Sequence, residues 1–128
     1  MLLLDTHIFL WWLGDDRRLG AGLRARLAAP DSDVLVSAVS IWEMAIKIVI
    51  GKLELPGTDP ARLDTLISEC GFRELAITAA HATAVATLPP LHSDPFDRLL
   101  VAQARAERAT LVSTDPALVA YGVPILAR

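Results

Sequence analysis

Residues 1–13, MLLLDTHIFLWWL, decide the fold. Leu2, Leu3 and Leu4 are apolar at consecutive positions, so a strand there offers nothing polar to solvent on either face. Such a segment belongs in a parallel sheet covered by helices on both sides. The pattern then changes period: Ile8, Phe9, Trp12 and Leu13 recur at helical spacing, and Gly14 supplies a stop. A buried strand running directly into a helix is the basic unit of an α/β protein. Between the two lies Asp5, a carboxylate in an apolar run, where it needs a cation, a proton or a hydrogen-bond donor.

The same alternation continues outward. Leu19, Leu23 and Leu27 mark a second helix, with Arg17, Arg18, Arg24 and Arg26 along its exposed side, and DVLVS (33–37) reads as a strand. Ile41, Trp42, Ala45, Ile46 and Val49 form one helical face ended by Gly51, and an amphipathic helix covers Pro60 to Cys70 before Gly71. FRELAI (72–77) is the next strand, residues 78–88 are helical up to Pro89-Pro90, and a long helix runs from near Pro95 to Glu107. TLVST (110–114) and VPILA (123–127) are the last strands, with a short helix from Pro116 between them. The expected architecture is a three-layer α/β/α sandwich with a mostly parallel sheet of four or five strands, formed by residues 1–128 as one domain. Ligands of such sheets bind at the carboxyl edge of the strands.

Composition agrees. With 128 residues, 53% of them apolar, the chain can bury a core without disulfides or a structural metal. Its eight prolines and seven glycines are spread along the chain, so no linker is expected. A net charge of −3 argues against nucleic-acid binding through a general positive field, leaving only local basic patches. The single cysteine, Cys70, cannot form an internal disulfide and reads as a buried thiol. The apolar N-terminus lacks the basic region and cleavage site of a signal peptide, and no apolar run is long enough for a membrane span. A soluble, cytoplasmic protein is expected.

The acids have structural explanations when taken singly. Asp115-Pro116 and Asp59-Pro60 are helix caps followed by proline at the first helical position. Asp94 as a cap of the helix from Pro95 places Asp97 favourably beside the helix dipole. Ser40 and Glu43 can be written as a capping box, or Glu43 can pair with Lys47 one turn on. Thr6 and Ser113 serve equally as caps, turn formers or donors to a bound phosphate or water.

Taken together, the acids point elsewhere. Asp5 and Asp115 directly follow strands, and helices joined to parallel strands by right-handed crossovers begin at the same sheet edge. Asp5, Glu43, Asp97 and Asp115 are thus expected to converge, and crowded carboxylates stay ionised only around something positive. Oxygen ligands without a Cys–His set at zinc spacing select a hard divalent cation, Mg²⁺ or Mn²⁺. His7 is a candidate neighbour of the site, His81 a packing or helix-surface residue, and His92 a loop residue. An ion held this way can activate water for attack on a phosphodiester.

LLLDTHIFLWWL, SAVSIWEMAIKIVIGKLEL, HSDPFDRLLVAQA and TLVSTD, in this order, resemble the PIN-domain family, and within it the VapC-type toxins of bacterial toxin–antitoxin pairs. The resemblance implies a Mg²⁺- or Mn²⁺-dependent endoribonuclease with an acidic quartet at Asp5, Glu43, Asp97 and Asp115. Ser113 falls where members commonly carry Thr, and Asp94 belongs to a DPFDR signature. It also implies a homodimer and a cognate antitoxin that blocks the site. Trp12 and Trp42 are expected inside the core and Trp11 is the exposed candidate for a partner contact. Arg98 and Lys47, beside two of the acids, are the candidates to hold a substrate phosphate or an antitoxin carboxylate.

Two other classes fit parts of the chain. An aspartyl-nucleophile phosphotransfer enzyme also places Asp after its first strand, but the usual second Asp two positions on is His7 here. A non-catalytic binding module would use the acids only as caps.

Overall fold

A computed structural model describes residues 1–127. Strand β1 (Leu2–Leu4) runs through Asp5 into α1 (Thr6–Leu13), and a short 3-10 turn at Arg17–Leu19 leads to α2 (Ala21–Ala28). Strand β2 (Val34–Ser37) passes directly into α3 (Ala38–Val49). A 3-10 segment (Pro60–Thr65), the single turn α4 (Leu66–Glu69) and β3 (Arg73–Leu75) follow. The chain then forms α5 (Ala79–Val85), α6 (Pro95–Glu107), β4 (Thr110–Val112), a 3-10 turn (Pro116–Tyr121) and β5 (Ile125–Leu126).

The five strands form one parallel sheet in the order β3-β2-β1-β4-β5. Alternate residues of β1 feed opposite cores, as the period of a strand requires. Leu2 and Leu4 pack with Ile8, Phe9, Leu23, Leu27 and Met44 on one face. Leu3 packs with Leu35, Leu100, Leu111 and Leu118 on the other. The uninterrupted Leu2-Leu3-Leu4 run is thereby explained, and the three-layer α/β/α expectation holds with five strands.

The order of the sheet matters for function. From central β1 the chain winds to β2 and β3 on one side, then returns to build β4 and β5 on the other. The switch falls between β1 and β4, which are paired in register from Leu2 opposite Thr110 to Leu4 opposite Val112. The switch sets the segments that leave β1 and β4, helix α1 and the Pro116–Tyr121 turn, side by side at the carboxyl edge, where open α/β sheets bind ligands.

Several local expectations are revised. The helix read around Leu19–Leu27 is split at Gly20, whose φ of 81° is a conformation few other residues adopt without strain. The segment from Pro60 to Cys70 is a 3-10 stretch with a non-helical kink at Arg62, followed by a single α turn. Ser40 and Glu43 do not form a capping box: Ser37 is the cap, accepting from the Val39 amide at 3.0 Å, so α3 begins three residues earlier. Val39, Ser40, Glu43 and Met44 turn inward, Ser40 and Glu43 to meet Thr6, and Trp42 is left 58% exposed, against the expectation that it lies in the core. Trp42 instead stands edge-on to Phe96, with ring centroids 5.3 Å apart. Trp11 and Trp12 are both half-buried, each beneath an arginine, Arg18 and Arg24 respectively.

Candidate active site

Asp5 and Asp115 follow the neighbouring strands β1 and β4 at the carboxyl edge. The Asp5 amide donates to the Val112 carbonyl at 3.0 Å, continuing the sheet by one residue, and Asp5 Oδ1 accepts from the Ile8 amide at 2.8 Å to cap α1. Asp115 Oδ1 accepts from the Ala117 amide at 2.9 Å, and its own amide donates to Ser113 Oγ at 3.0 Å. The cap reading was therefore right for both residues. A cap uses one lone pair of one oxygen, so a second carboxylate oxygen remains for other duties.

Glu43 reaches the edge from the second turn of α3. Thr6 Oγ1 donates to its Oε1 at 2.8 Å and lies 2.9 Å from the hydroxyl of Ser40, while Lys47 Nζ donates to Oε2 at 2.6 Å. Thr6, predicted as a supporting residue, thus acts by holding an acid. Lys47 is engaged by Glu43 through one of its three ammonium donors.

Asp97 comes from the first turn of α6. Asp94 caps that helix, its Oδ1 accepting from the amides of Phe96 at 2.8 Å and Asp97 at 3.2 Å. Accessibility rises across the site, from Glu43 (3%) and Asp5 (5%) to side-chain values of 22% for Asp97 and 39% for Asp115. The deep acids form a floor and the outer ones a rim.

The charges feel one another. Burial pushes the Asp97 carboxyl up to about 6, helped by the negative charges of Asp94, Glu43 and Asp5 and opposed by His92. Burial also raises Asp5, with Asp115 adding to the effect. A hydrogen bond from Ser113, the Ile8 amide and nearby His7 work against it. Asp97 is coupled to Glu43 and Asp5, and Asp5 to Asp115, so the four acids from four separate elements belong to one electrostatic unit.

Two residues were placed differently by sequence reasoning. His92 is more than a loop residue: its Nε2 lies 3.0 Å from Asp97 Oδ2 and 3.6 Å from Asp115 Oδ2. The ligand atoms of His92, Asp97 and Asp115 all lie within 4.8 Å of one another, a spacing that can enclose a metal ion. The available signal was its position two residues before Asp94 in a segment pinned by prolines on both sides. Arg98 follows Asp97 in sequence but is committed to the scaffold. Its Nη1 donates to the Pro89 carbonyl at 2.8 Å and the Tyr121 hydroxyl at 3.2 Å, and its Nη2 to the Val85 and Leu88 carbonyls at 3.1 and 3.4 Å. These four bonds make Arg98 a clamp between the segment before α6 and the Pro116–Tyr121 turn. His81 is indeed a packing residue, buried and closing a capping box with Thr78.

A doubly wound parallel sheet with interacting carboxylates at its switch point defines a class of α/β proteins whose polar edge is the working surface. The chain belongs to the PIN domain family, whose model matches residues 2–123. It is 30% identical over 124 residues to Ribonuclease VapC22 of Mycobacterium tuberculosis (strain ATCC 25618 / H37Rv), covering 96% of this chain and 93% of that protein. Its fold is shared with VapBC2 from Rickettsia felis, solved bound to a DNA fragment from their promoter, at a TM-score of 0.72 and 16% identity over 98% of this chain and 97% of that one. FitAcB from Neisseria gonorrhoeae superposes at a TM-score of 0.70 with 23% identity, over 98% and 96% of the two chains. Among the described residues, no helix is long and apolar enough to cross a membrane.

Proposed function

We propose that this chain is a divalent-metal-dependent endoribonuclease, the toxin of a toxin–antitoxin pair. The observation that carries the reading is the electrostatic coupling of Asp5, Glu43, Asp97 and Asp115 at the switch point, with Asp97 raised to about 6. Acids so placed are mutually destabilising without a cation. Lys47 meets only one oxygen of Glu43, and His92 stands at the rim. The donor set fits a hard ion, Mg²⁺ or Mn²⁺, held by Asp5, Asp97 and Asp115 with Glu43 behind them. When bound, such an ion neutralises charge on the scissile phosphodiester and lowers the pKa of an attacking water.

The protein's own groups supply the rest. Thr6, Ser40 and Lys47 fix Glu43, and Ser113 donates to Asp5 while accepting from the Asp115 amide. The floor acids are thereby aimed before substrate arrives, which removes reorganisation from the reaction. An open rim suits a polymer. Asp5, only 5% exposed and occupied as a cap, is better suited to holding an ion than to nucleophilic attack.

The antitoxin, the homodimer and a cytoplasmic setting belong to the same proposal. Its support is the kinship with VapC22 and the shared fold with chains from toxin–antitoxin complexes, among them one from Klebsiella pneumoniae. Purified protein free of antitoxin is expected to cleave RNA in Mg²⁺ or Mn²⁺, to stop in chelator, and to be silenced by Asp97→Asn. Cleavage that persists in chelator, or in the Asn variant, overturns the reading.

A further inference from the structure

His92 has no part in the acidic quartet, yet it occupies the space between two of its members. Its ring is oriented by the backbone: Nδ1 accepts the amide hydrogen of Asp94 at 3.4 Å. A ring nitrogen that accepts carries no proton, so in the neutral imidazole the proton sits on Nε2. That nitrogen is a donor, 3.0 Å from Asp97 Oδ2 and 3.6 Å from Asp115 Oδ2. The first distance is that of a hydrogen bond and the second that of an electrostatic contact just beyond one.

The placement is held from both sides. Pro89-Pro90 precede His92 and Asp94-Pro95 follow it, restricting the backbone. Arg98, adjacent to Asp97, ties the carbonyls of Val85, Leu88 and Pro89 to Tyr121, in the turn that begins at Asp115. One guanidinium therefore joins the loop bearing His92, the helix bearing Asp97 and the turn bearing Asp115.

We propose that His92 is a positioning residue of the metal site, its Nε2–H holding Asp97 Oδ2 and leaving the other oxygen of Asp97 available to an ion, and its ring separating Asp97 from Asp115. The inference rests on the metal-dependent reading above. A hydrogen-bonded ligand loses less freedom on binding, and partners of this kind change metal affinity by about 10- to 100-fold.

Calorimetric titration with Mn²⁺ alone, on the full chain, tests it. Asp97→Asn is expected to abolish binding, His92→Ala to weaken it about 10- to 100-fold, and His92→Gln, whose amide nitrogen reaches the same place, to bind within about threefold of wild type. Pulsed EPR of bound Mn²⁺ is expected to show no directly coordinated nitrogen. His92→Ala binding as tightly as wild type, while Asp97→Asn does not bind, overturns the role of His92 and leaves the metal site standing. A directly coordinated nitrogen in wild type, with His92→Gln as weak as His92→Ala, makes His92 a ligand and also overturns it. Failure of wild type to bind Mn²⁺ sinks both readings. Should His92→Ala melt below the assay temperature, the Gln variant and the EPR spectrum decide.

Discussion

At Asp97 the electrostatics of the site become a stability statement. Burial pushes its carboxyl up to about 6 in the folded protein, well above the usual carboxylate range. A raised Asp favours the folded state while protonated; the advantage is complete below the unfolded pKa and is lost as pH rises through about 6. Above that, the ion-free protein carries a charge that its surroundings resist. Asp97→Asn removes the charge and is expected to be more stable than wild type by roughly 1–3 kcal/mol at pH 7.5 in chelator, with the gap closing towards pH 4. Denaturant unfolding across that range measures it, and a less stable Asn variant at pH 7.5 would make Asp97 a structural group. Asp115 separates its two roles differently. Asn caps a helix about as well as Asp, so Asp115→Asn is expected to change stability by less than about 0.5 kcal/mol while Mn²⁺ binding falls away. A large stability loss with binding intact would return Asp115 to a plain cap. The acids were legible in sequence because each sits where a strand pattern gives way to a helical one, or in the first turns of a helix. His92 was not, since a loop residue's partners depend on a path that no periodicity records.

Elements, rather than single groups, are what Arg98 holds in place. Its guanidinium meets three carbonyls and a tyrosine hydroxyl, bringing the end of α5, the Pro89–Asp94 loop, α6 and the Pro116–Tyr121 turn into fixed relation. Hydrogen bonds to a charged group contribute about 1.5–3 kcal/mol each, and they are not additive when they share one group. Arg98→Met, which keeps much of the aliphatic stem, is expected to cost about 2–3 kcal/mol and to raise hydrogen exchange in the loop before that of the sheet. Uniform exchange with unchanged stability would show that the loop is held by its prolines alone. This part of the role of Arg98 is hidden in the sequence for a physical reason: a neighbouring acid is visible along the chain, whereas carbonyl and hydroxyl partners brought near by folding are not. Trp42 failed similarly. Apolar spacing groups Ile41, Trp42, Ala45, Ile46 and Val49 on one face of α3, but the helix buries the polar Ser40 and Glu43 with Val39 and Met44 and leaves Trp42 and Val49 exposed. By contrast α1 was readable because apolar period and the Gly14 stop agreed, α6 because the Asp94 cap preceded a helical apolar period, and β2 because its apolar run was short and bounded.

Across the whole molecule, the switch in strand order between β1 and β4 is what converts scattered acids into one unit. Each strand could be read locally, but the order β3-β2-β1-β4-β5 could not, because nothing in a five-residue apolar run says which neighbour it will pair with. That each directly follows a strand of a parallel sheet was enough to place Asp5 and Asp115 on a common edge; the pairing of β1 with β4 then makes them neighbours there. A site assembled from β1, α3, α6 and the turn after β4 can be complete only in the folded protein, so ion binding and folding are linked. At Mn²⁺ one hundred times its Kd, the folded state gains about 2.7 kcal/mol, which for a domain of this size raises Tm by roughly 8–12 °C. The comparison is a pair of thermal melts, one with Mn²⁺ and one with chelator, repeated on Asp97→Asn, where the rise should vanish. A rise of equal size in the variant would mean that Mn²⁺ binds elsewhere on the surface. No rise in wild type at an ion concentration well above a calorimetric Kd would mean that the unfolded chain, with its many acids, competes for the ion as well as the folded site does.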